Sequence, residues 1–239
     1  MRYRNSITVA EASQLLGVAR STAHRLLAML QHRGLVLRDR ESKTYVQGPA
    51  LLELGLAAVR HIDLATRVQP LLQSLVQQTG ETAHAAIRRD TNVIFVACVE
   101  SPHAVRAGVR TGTVLPAHCT ASGKALLAQL PDAVVASLYR GRLPRLTPRS
   151  IGSTRGLLEE LAQVRQAGFA LNRGESELEL NTVAVALPEA PPAPPAAVVV
   201  AGPSFRLGTR RLREVSRVLL EGVRALSPSF QHVESRSAS

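Results

Sequence analysis

Apolar residues near the start of the chain recur at helical spacing and predict an amphipathic helix that ends at Leu16. These residues are Val9, Ala12, Leu15 and Leu16. Thr8, with Glu11 three residues later, forms a capping box at the start of this helix. Gly17 supplies the left-handed residue that is favoured just after its end. The segment is therefore predicted to be a short helix with both ends defined.

A second helix is predicted to open at Ala19 or Ser21 and to end at Gly34. Its predicted buried stripe consists of Ala23, Leu26, Leu27 and Leu30. Residues 35–38 and 43–47 then pair across a four-residue turn, which predicts a β-hairpin, and Tyr45 is expected to pack that hairpin against the helices. This order of elements is typical of a winged helix-turn-helix, so double-stranded DNA is the first partner to consider.

Polar side chains on the second helix and the hairpin are the candidates for contacts with DNA. On the helix they are Arg20, Ser21, Thr22, His24 and Arg25, and on the hairpin they are Arg38 and Lys43. The start of the second helix of such a module enters the major groove. Arginine can fork onto guanine or a phosphate, and hydroxyl groups reach phosphate oxygens. The alternative is that these residues form only a solvated helix face.

Residues 49–62 predict a third helix, which is strongly apolar and begins at Pro49. A helix with so few charges needs a surface to pack on, either the hairpin or a second copy of the chain. We favour pairing with a second copy, because helix-turn-helix proteins commonly read two half-sites as dimers. This segment is therefore predicted to link and dimerise the chain.

From residue 63 onward, helical and strand patterns alternate and predict an α+β domain that extends to residue 226. The predicted helices cover residues 63–78, 122–130, 133–139, 154–167 and 207–225. The predicted strands cover residues 82–87, 93–99, 103–109, 169–172, 182–187 and 196–200. About six strands flanked by helices suit a sensor-like domain. The proline-rich run at 188–195 is expected to be a stiff surface connection, and residues 227–239 a disordered tail.

Charge and cysteine content narrow the classes of function. The chain of 239 residues carries a formal charge of +11, and residues 1–60 contribute +5 of it, from nine Arg/Lys and four Asp/Glu. A basic excess near the predicted helix-turn-helix suits a polyanionic partner. Two cysteines without a CxxC pair predict neither a disulfide scaffold nor a zinc site, and we expect no cofactor. No apolar run is long enough to span a membrane, so a cytoplasmic location without a membrane partner is expected.

The stretch from Leu115 to Ala128 is the richest in candidate chemistry. A loop leads into a helix whose first turn offers Thr120, Ser122, backbone amides and Lys124, an arrangement that can bind an anion. Lys124 there opposes the helix dipole, which a bound anion could offset, or it simply points into water. A P-loop is excluded because His118 stands where glycine is required. Cys119 is expected to be a small buried residue.

Another polar stretch follows Gly168, where Asn172, Arg173 and Glu175 either line a pocket mouth or form a solvated loop. Across the chain we find no paired acid and base, no metal-ligand spacing and no activated nucleophile. The sequence therefore predicts no catalysis.

Several of these segments, in this order, resemble the IclR family of bacterial transcription regulators along nearly the whole chain. The matching motifs are Ser-Thr-x-His-Arg-Leu-Leu at 21–27, Gly-Leu-Val at 34–36, Tyr-Val-Gln-Gly-Pro at 45–49, Leu-Leu-Glu-Leu-Gly at 51–55, Leu-Pro-x-His at 115–118, Gly-Lys-Ala-Leu-Leu-Ala at 123–128, Gly-Phe-Ala-Leu-Asn-Arg-Gly-Glu at 168–175 and Gly-Pro-Ser-Phe-Arg at 202–206. The resemblance implies a winged-helix domain, a dimerising linker helix and a GAF-like domain that binds a small organic acid.

Carried over position by position, the resemblance also implies which residues line the effector pocket. They are Ala121, Ser122, Asn172, Thr182, Ala184, Val199 and Ala201. The family often has serines at the positions of Val199 and Ala201, so their replacement by apolar residues suggests an aromatic acid as the ligand.

The chain departs from the family at its N-terminus. The family has a helix of about three turns before the segment that begins here at Ile7, whereas only six residues precede it in this sequence. The apolar stripes of the first two helices are then expected to lack part of their cover. Either the start of translation is mis-assigned or DNA binding is weakened.

These observations predict a homodimer or tetramer that binds a palindromic DNA operator and responds to a small organic acid. The predicted divisions are a winged helix over 1–48, a linker over 49–62, an effector domain over 63–226 and a tail over 227–239. Two alternatives remain: a ligand-sensing dimer that has lost DNA binding, and a small-molecule enzyme built on residues 82–226.

Overall fold

The computed structural model of the chain describes residues 6–39, 42–51, 64–188 and 194–231, with side chains described as far as residue 226. The chain divides into two compact units, Met1–Asp63 and Leu64–Ser239. Each unit has its own sheet and its own hydrophobic core.

The N-terminal unit has the predicted helix-turn-helix followed by a hairpin. Its elements are β1 (Ser6–Ile7), α1 (Val9–Leu16), α2 (Arg20–His32), β2 (Val36–Arg38) and β3 (Tyr45–Gln47). The strands form an antiparallel sheet in the order β1-β3-β2. The short strand β1 was not predicted, because two residues are too few to show a period of alternation.

The predicted ends of α1 are confirmed. The Thr8 hydroxyl accepts a hydrogen bond from the Glu11 amide at 3.2 Å, and the Glu11 carboxylate accepts one from the Thr8 amide at 2.9 Å. Gly17 lies in the left-handed region with φ 63°, a conformation that costs a residue with a Cβ roughly 1 kcal/mol or more. These local interactions fix where the chain turns from α1 into α2.

The core of this unit is small and is centred on Ala12, Ala23, Leu27 and Tyr45. Tyr45 is 2 % exposed, which confirms that it packs the hairpin against the helices. The predicted stripe of α2 is wrong in part, because Leu26 and Leu30 are 37 % and 40 % exposed. In the described residues, α1 and the sheet cover only the side of α2 that carries Ala23 and Leu27. Helical backbone resumes at Pro49, and the predicted linker helix beyond Leu51 lies outside the described residues.

The C-terminal unit is built on a six-stranded antiparallel sheet in the order β6-β5-β4-β9-β8-β7. Its strands are β4 (Thr82–Arg89), β5 (Asn92–Val99), β6 (Val114–Pro116), β7 (Ala170–Arg173), β8 (Leu180–Ala186) and β9 (Ala196–Pro203). Its helices are α3 (Leu64–Thr79), α4 (Ala121–Leu127), α5 (Asp132–Leu138), α6 (Thr154–Ala167) and α7 (Thr209–Gln231). None of the described helices is both long enough and apolar enough to cross a membrane.

The two faces of this sheet are covered by different helices. A core of alanine, valine and leucine side chains joins one face to α4, α5 and α6, and it includes Phe95, Ala184 and Val199. Helices α3 and α7 pack against each other and against the sheet strands, and strand alternation assigns them to the other face. Residues two apart along one strand therefore belong to the same layer.

Two predictions for this unit are corrected by the structure. Residues 103–109 do not form a strand, and the edge strand that pairs with β5 on the side away from β4 is β6. The segment is held instead by the Thr82 hydroxyl, which donates to the carbonyl of Ala107 at 2.9 Å. Helix α7 continues to Gln231, so residues 227–231 are helical rather than part of the predicted tail, and residues 232–239 lie outside the described residues.

Candidate functional site

The polar face of α2 is fully available to a partner within its unit. All five candidate residues on it are exposed: Arg20, Ser21, Thr22, His24 and Arg25. No side chain caps the start of the helix at Ala19, which leaves amides of the first turn free to meet a phosphate. Because α2 contains no acidic residue, no carboxylate within the helix offsets the charges of Arg20 and Arg25 on its exposed face.

The hairpin presents its own cations beside this helix. Arg38 and Lys43 are both exposed. The guanidinium of Arg38 lies 5.9 Å from the centre of the buried Tyr45 ring, which orients the arginine on the hairpin surface. Lys43 has φ 55°, so it forms part of the tight connection between the two strands.

Apolar side chains lie beside the basic residues on the surface of α2, where Met29 and Leu30 are exposed next to Arg25. Leu15, Leu16 and Met29 are each more than half exposed.

In the C-terminal unit, a narrow cavity of about 20 Å³ lies between the sheet and the start of α4. Strand register explains its lining, because Asn172 pairs with Thr182, and Thr182 pairs with Ala201. Six of the seven predicted pocket residues line it: Ala121, Ser122, Asn172, Thr182, Val199 and Ala201.

The seventh predicted residue, Ala184, lies beside the lining rather than in it. It pairs with Ala170 and Val199 one step along the same face, and it is buried in the core beneath α4.

Hydrogen bonds fix the polar groups around the cavity. The Thr120 hydroxyl accepts from the Gly123 amide at 3.0 Å and so caps α4. Asn172 donates to the carbonyl of Cys119 at 3.1 Å and to Ser176 at 2.9 Å, while its amide oxygen accepts from the Glu175 amide at 2.7 Å. Asn172 thereby ties the start of α4 to the loop after β7.

Lys124 neither binds an anion at the helix start nor points into water. Its side chain is 1 % exposed and lies between Glu160 at 2.8 Å and Glu175 at 2.7 Å. Burial raises the pKa of the Glu175 carboxyl against the opposing effect of the lysine charge. Of the polar stretch predicted at 172–175, Asn172 lines the cavity, Glu175 holds Lys124, and Arg173 is exposed.

The sequence did not identify two further lining residues, His84 and Arg110. His84 lies on β4 opposite Val199, and its ring meets Phe95 edge-on at 5.5 Å. Burial, and then the charge of Arg110, lower the pKa of His84 to about 4. Alternation along β4 could have indicated it, because His84 shares a face with Thr82 and Ala86.

His118 and Cys119 lie just outside the cavity and are held by the loop before α6. The His118 Nε2 lies 2.8 Å from the carbonyl oxygen of Pro144, and Cys119 is buried as predicted. Burial raises the pKa of the Cys119 thiol, which keeps it protonated and unreactive. Among the described residues, no group of three or more His, Cys, Asp or Glu side chains could hold a metal ion.

A winged helix-turn-helix with Arg20 and Arg25 exposed on its second helix, followed by an α+β domain with a small cavity, is the architecture of a class of transcription regulator. Comparison with known protein families agrees with this class. Residues 56–228 match the C-terminal domain of IclR bacterial transcriptional regulators, and residues 1–40 match the IclR helix-turn-helix domain. The chain belongs to the IclR family.

Relatives of similar sequence span most of the chain. The HTH-type transcriptional regulator BhcR of Paracoccus denitrificans is 33% identical over 93% of this chain and 80% of its own length. The transcriptional repressor IclR of Escherichia coli is 29% identical over 94% of this chain and 83% of its own length.

Solved structures show the same fold. An IclR family transcriptional regulator from Brucella abortus has a TM-score of 0.81 at 25% identity, covering 96% of this chain and 87% of that one. The Thermotoga maritima IclR has a TM-score of 0.70 at 26% identity, covering 96% and 93%. An IclR homologue from Microbacterium hydrocarbonoxydans, complexed with 4-hydroxybenzoate, has a TM-score of 0.66 at 23% identity, covering 94% of each chain, a likeness that concerns the fold.

Proposed function

We propose that this protein binds a palindromic operator as a homodimer or tetramer and that a small organic acid in its C-terminal cavity controls that binding. The observation that carries the proposal is the exposed, acid-free face of α2 with Arg20 and Arg25 at its start. Arginine in this position can read guanine or hold a phosphate. Arg38 and Lys43 on the hairpin add backbone contacts.

The cavity supports control by a small acid. Thr120, Ser122, Asn172 and Thr182 bring hydroxyl and amide groups to one small space, and Val199 and Ala201 form its apolar wall. Effector binding would then shift the population between arrangements that do and do not match two half-sites.

The size of the cavity bears on the ligand. About 20 Å³ is the room that one or two water molecules need. A two- or three-carbon acid therefore enters with less rearrangement than an aromatic one. The aromatic ligand suggested by Val199 and Ala201 requires the cavity to open, so pyruvate and benzoate are the two probes to compare.

The decisive experiment measures binding of the full chain to DNA from upstream of its own gene by fluorescence anisotropy. We expect specific binding that weakens steeply between about 50 and 200 mM salt and changes when pyruvate or benzoate is added. Release of DNA by micromolar pyruvate, with no response to benzoate, would contradict the aromatic hypothesis.

A pair of variants separates specific contacts from net charge. Arg25→Ala removes a residue from the start of α2, and Arg217→Ala removes the same charge from the exposed side of α7. We expect Arg25→Ala to weaken specific binding about 10-fold or more, since a good base contact contributes roughly 1–3 kcal/mol. An equal loss of affinity for the specific DNA in both variants would contradict a role of α2 in base recognition.

A second candidate is a ligand sensor that does not bind DNA specifically, which the exposed Leu15, Leu16 and Met29 favour. It predicts acid binding without a preference for the upstream DNA. We infer no catalysis, because the His118 ring is tied to Pro144 and the Cys119 thiol stays protonated. If the chain turns over a substrate and the Arg25→Ala variant keeps that activity, the enzyme alternative would be supported instead.

A further inference from the structure

His84 is an unusual residue to find buried beside the cavity. Its side chain is 1 % exposed, and within the described residues neither ring nitrogen has a hydrogen-bond partner. A neutral imidazole has one donor and one acceptor, and leaving both unpaired in the interior is costly. Its neighbours Val199 and Phe95 offer the ring only apolar contact.

Arg110 lines the same cavity from the segment between β5 and β6. Its guanidinium is ion-paired with Glu177, a residue of the exposed loop before β8. The arginine is largely covered, whereas the Glu177 carboxylate is more than half exposed. A bound carboxylate can therefore take the place of Glu177 without uncovering a buried acid.

We propose that Arg110 and His84 together bind the carboxylate of the effector. This inference rests on the proposed function and assigns the polar end of its cavity. Arg110 donates to the carboxylate in place of Glu177, and His84 donates from one ring nitrogen. The opposite end of the ligand faces Thr120 and Ser122 at the start of α4.

Binding of the anion changes the protonation of His84. In the free protein, burial first and then the positive charge of Arg110 disfavour a second proton on the ring. A carboxylate placed between Arg110 and His84 offsets the arginine charge and accepts a hydrogen bond from the charged ring, which opposes the effect of burial. His84 then takes one proton from solvent and becomes a donor at both nitrogens. The bound carboxylate and the imidazolium then balance each other's charge.

The other titratable groups around His84 do not reproduce this change. Cys98 faces it from β5 with its thiol pKa raised to about 11, so the thiol stays neutral. Glu100 favours protonation of His84 more weakly than Arg110 opposes it. Lys124 of α4 is held by its two glutamates, and β8 and β9 contribute no titratable residue to the cavity lining.

Calorimetric titration of the full chain tests the assignment with pyruvate and benzoate as probes and benzamide as a neutral analogue. We expect at least one acid to bind, benzamide to bind about 10-fold or more weakly than benzoate, and Arg110→Gln to weaken the acid to a similar degree. Titration in buffers of different ionisation enthalpy should show proton uptake at pH 7 that disappears in His84→Asn.

Arg106→Gln is the matched control for Arg110→Gln. Arg106 lies on the same segment and forms the same kind of ion pair, with Glu100 at 2.9 Å, but it does not line the cavity. Its loss should leave acid binding unchanged.

The outcomes separate this inference from the proposed function. Wild-type affinity and wild-type proton uptake in His84→Leu and Arg110→Gln would overturn the assignment while leaving ligand control intact. No binding of either acid to the wild-type chain would overturn ligand control itself. If His84→Asn does not fold, as judged by circular dichroism, His84→Leu and the benzamide comparison decide the question.

Discussion

Lys124 shows how strongly one buried charge can tie distant parts of a domain together. It joins α4 to Glu160 on α6 and to Glu175 in the loop after β7. A buried ion pair adds little to stability by itself, but removal of one partner leaves an uncompensated charge. The residue therefore matters more for what its loss exposes than for what its presence contributes.

We expect Lys124→Met to lower the free energy of unfolding of the C-terminal unit by about 3 kcal/mol. The physical reason is that Glu160 and Glu175 would face each other without the lysine. Urea unfolding followed by circular dichroism measures the change. Arg155→Ala removes an exposed pair with Glu159 and should cost less than about 0.5 kcal/mol, so equal losses would contradict the argument.

His84 makes stability depend on pH. Its pKa is lowered from 6.5 to about 4 in the folded chain, so the unfolded chain binds more protons between these values. The free energy of unfolding therefore carries no penalty from His84 above about pH 6.5, and it falls as the pH drops towards 4. The melting temperature of His84→Leu should fall less steeply over this pH window than that of the wild type, and parallel curves would contradict the assignment. His118, whose pKa is also lowered by burial, contributes in the same direction to the curves of the wild type and the variant.

The roles of single residues were the least predictable part of the sequence. The partners of Lys124 lie 36 and 51 positions away, so its burial depends on tertiary packing that no local pattern encodes. Arg110 was missed for the same reason, whereas the alternation along β4 could have placed His84 on the cavity face. The pocket residues that were predicted came from resemblance to a family, and six of the seven line the observed cavity.

At the scale of elements, local sequence signals predicted the bounds of helices better than they predicted the roles of single residues. The sequence predicts a helix over 154–167, and α6 spans the same residues because Ser153 caps its start and Gly168 ends it with φ 77°. Residues 103–109 have the sequence pattern of a strand without forming one, since Val105, Ala107 and Val109 alternate with other residues. Only Ala107 is buried, and Val105 and Val109 are 61 % and 59 % exposed.

The junction between α4 and the turn before it depends on a glycine. A Cβ at Gly123 would overlap the backbone of Ala117, so Gly123→Ala must push α4 away from the cavity wall. We expect this variant to lose roughly 1–3 kcal/mol of stability together with acid binding. Gly108→Ala, which meets nothing within 4 Å, is the matched control and should change neither. Thermal unfolding and calorimetric titration of both variants provide the measurement.

At the scale of the molecule, two compact units divide the proposed work. The basic excess is concentrated in the first sixty residues, where the recognition helix lies, whereas the cavity belongs to the second unit. The order of these units and the α+β class were predicted from the sequence, since each has its own pattern of periods. The residues between 52 and 63 are outside the described structure, so the predicted dimer remains a prediction.

Half-site spacing provides a test of that dimer. Two copies that read one operator require half-sites on the same side of the DNA, about 10 base pairs apart or a multiple of that. Once the operator is mapped, insertion of 5 base pairs between its halves should weaken binding about 10-fold or more, while insertion of 10 should weaken it less. Equal affinity for all three duplexes in a gel-shift assay would rule out paired reading.

The alternation along β4 has a consequence for how such proteins diversify. Thr82 and His84 face the layer with the cavity, whereas Ala83 and Ala85 are buried in the layer behind it. Substitutions at positions such as His84, Val199 and Ala201 can thus alter the chemistry of the chamber while the opposite layer keeps the domain folded. A few changes in one row of side chains are then enough to alter what the cavity admits, while the fold is inherited unchanged.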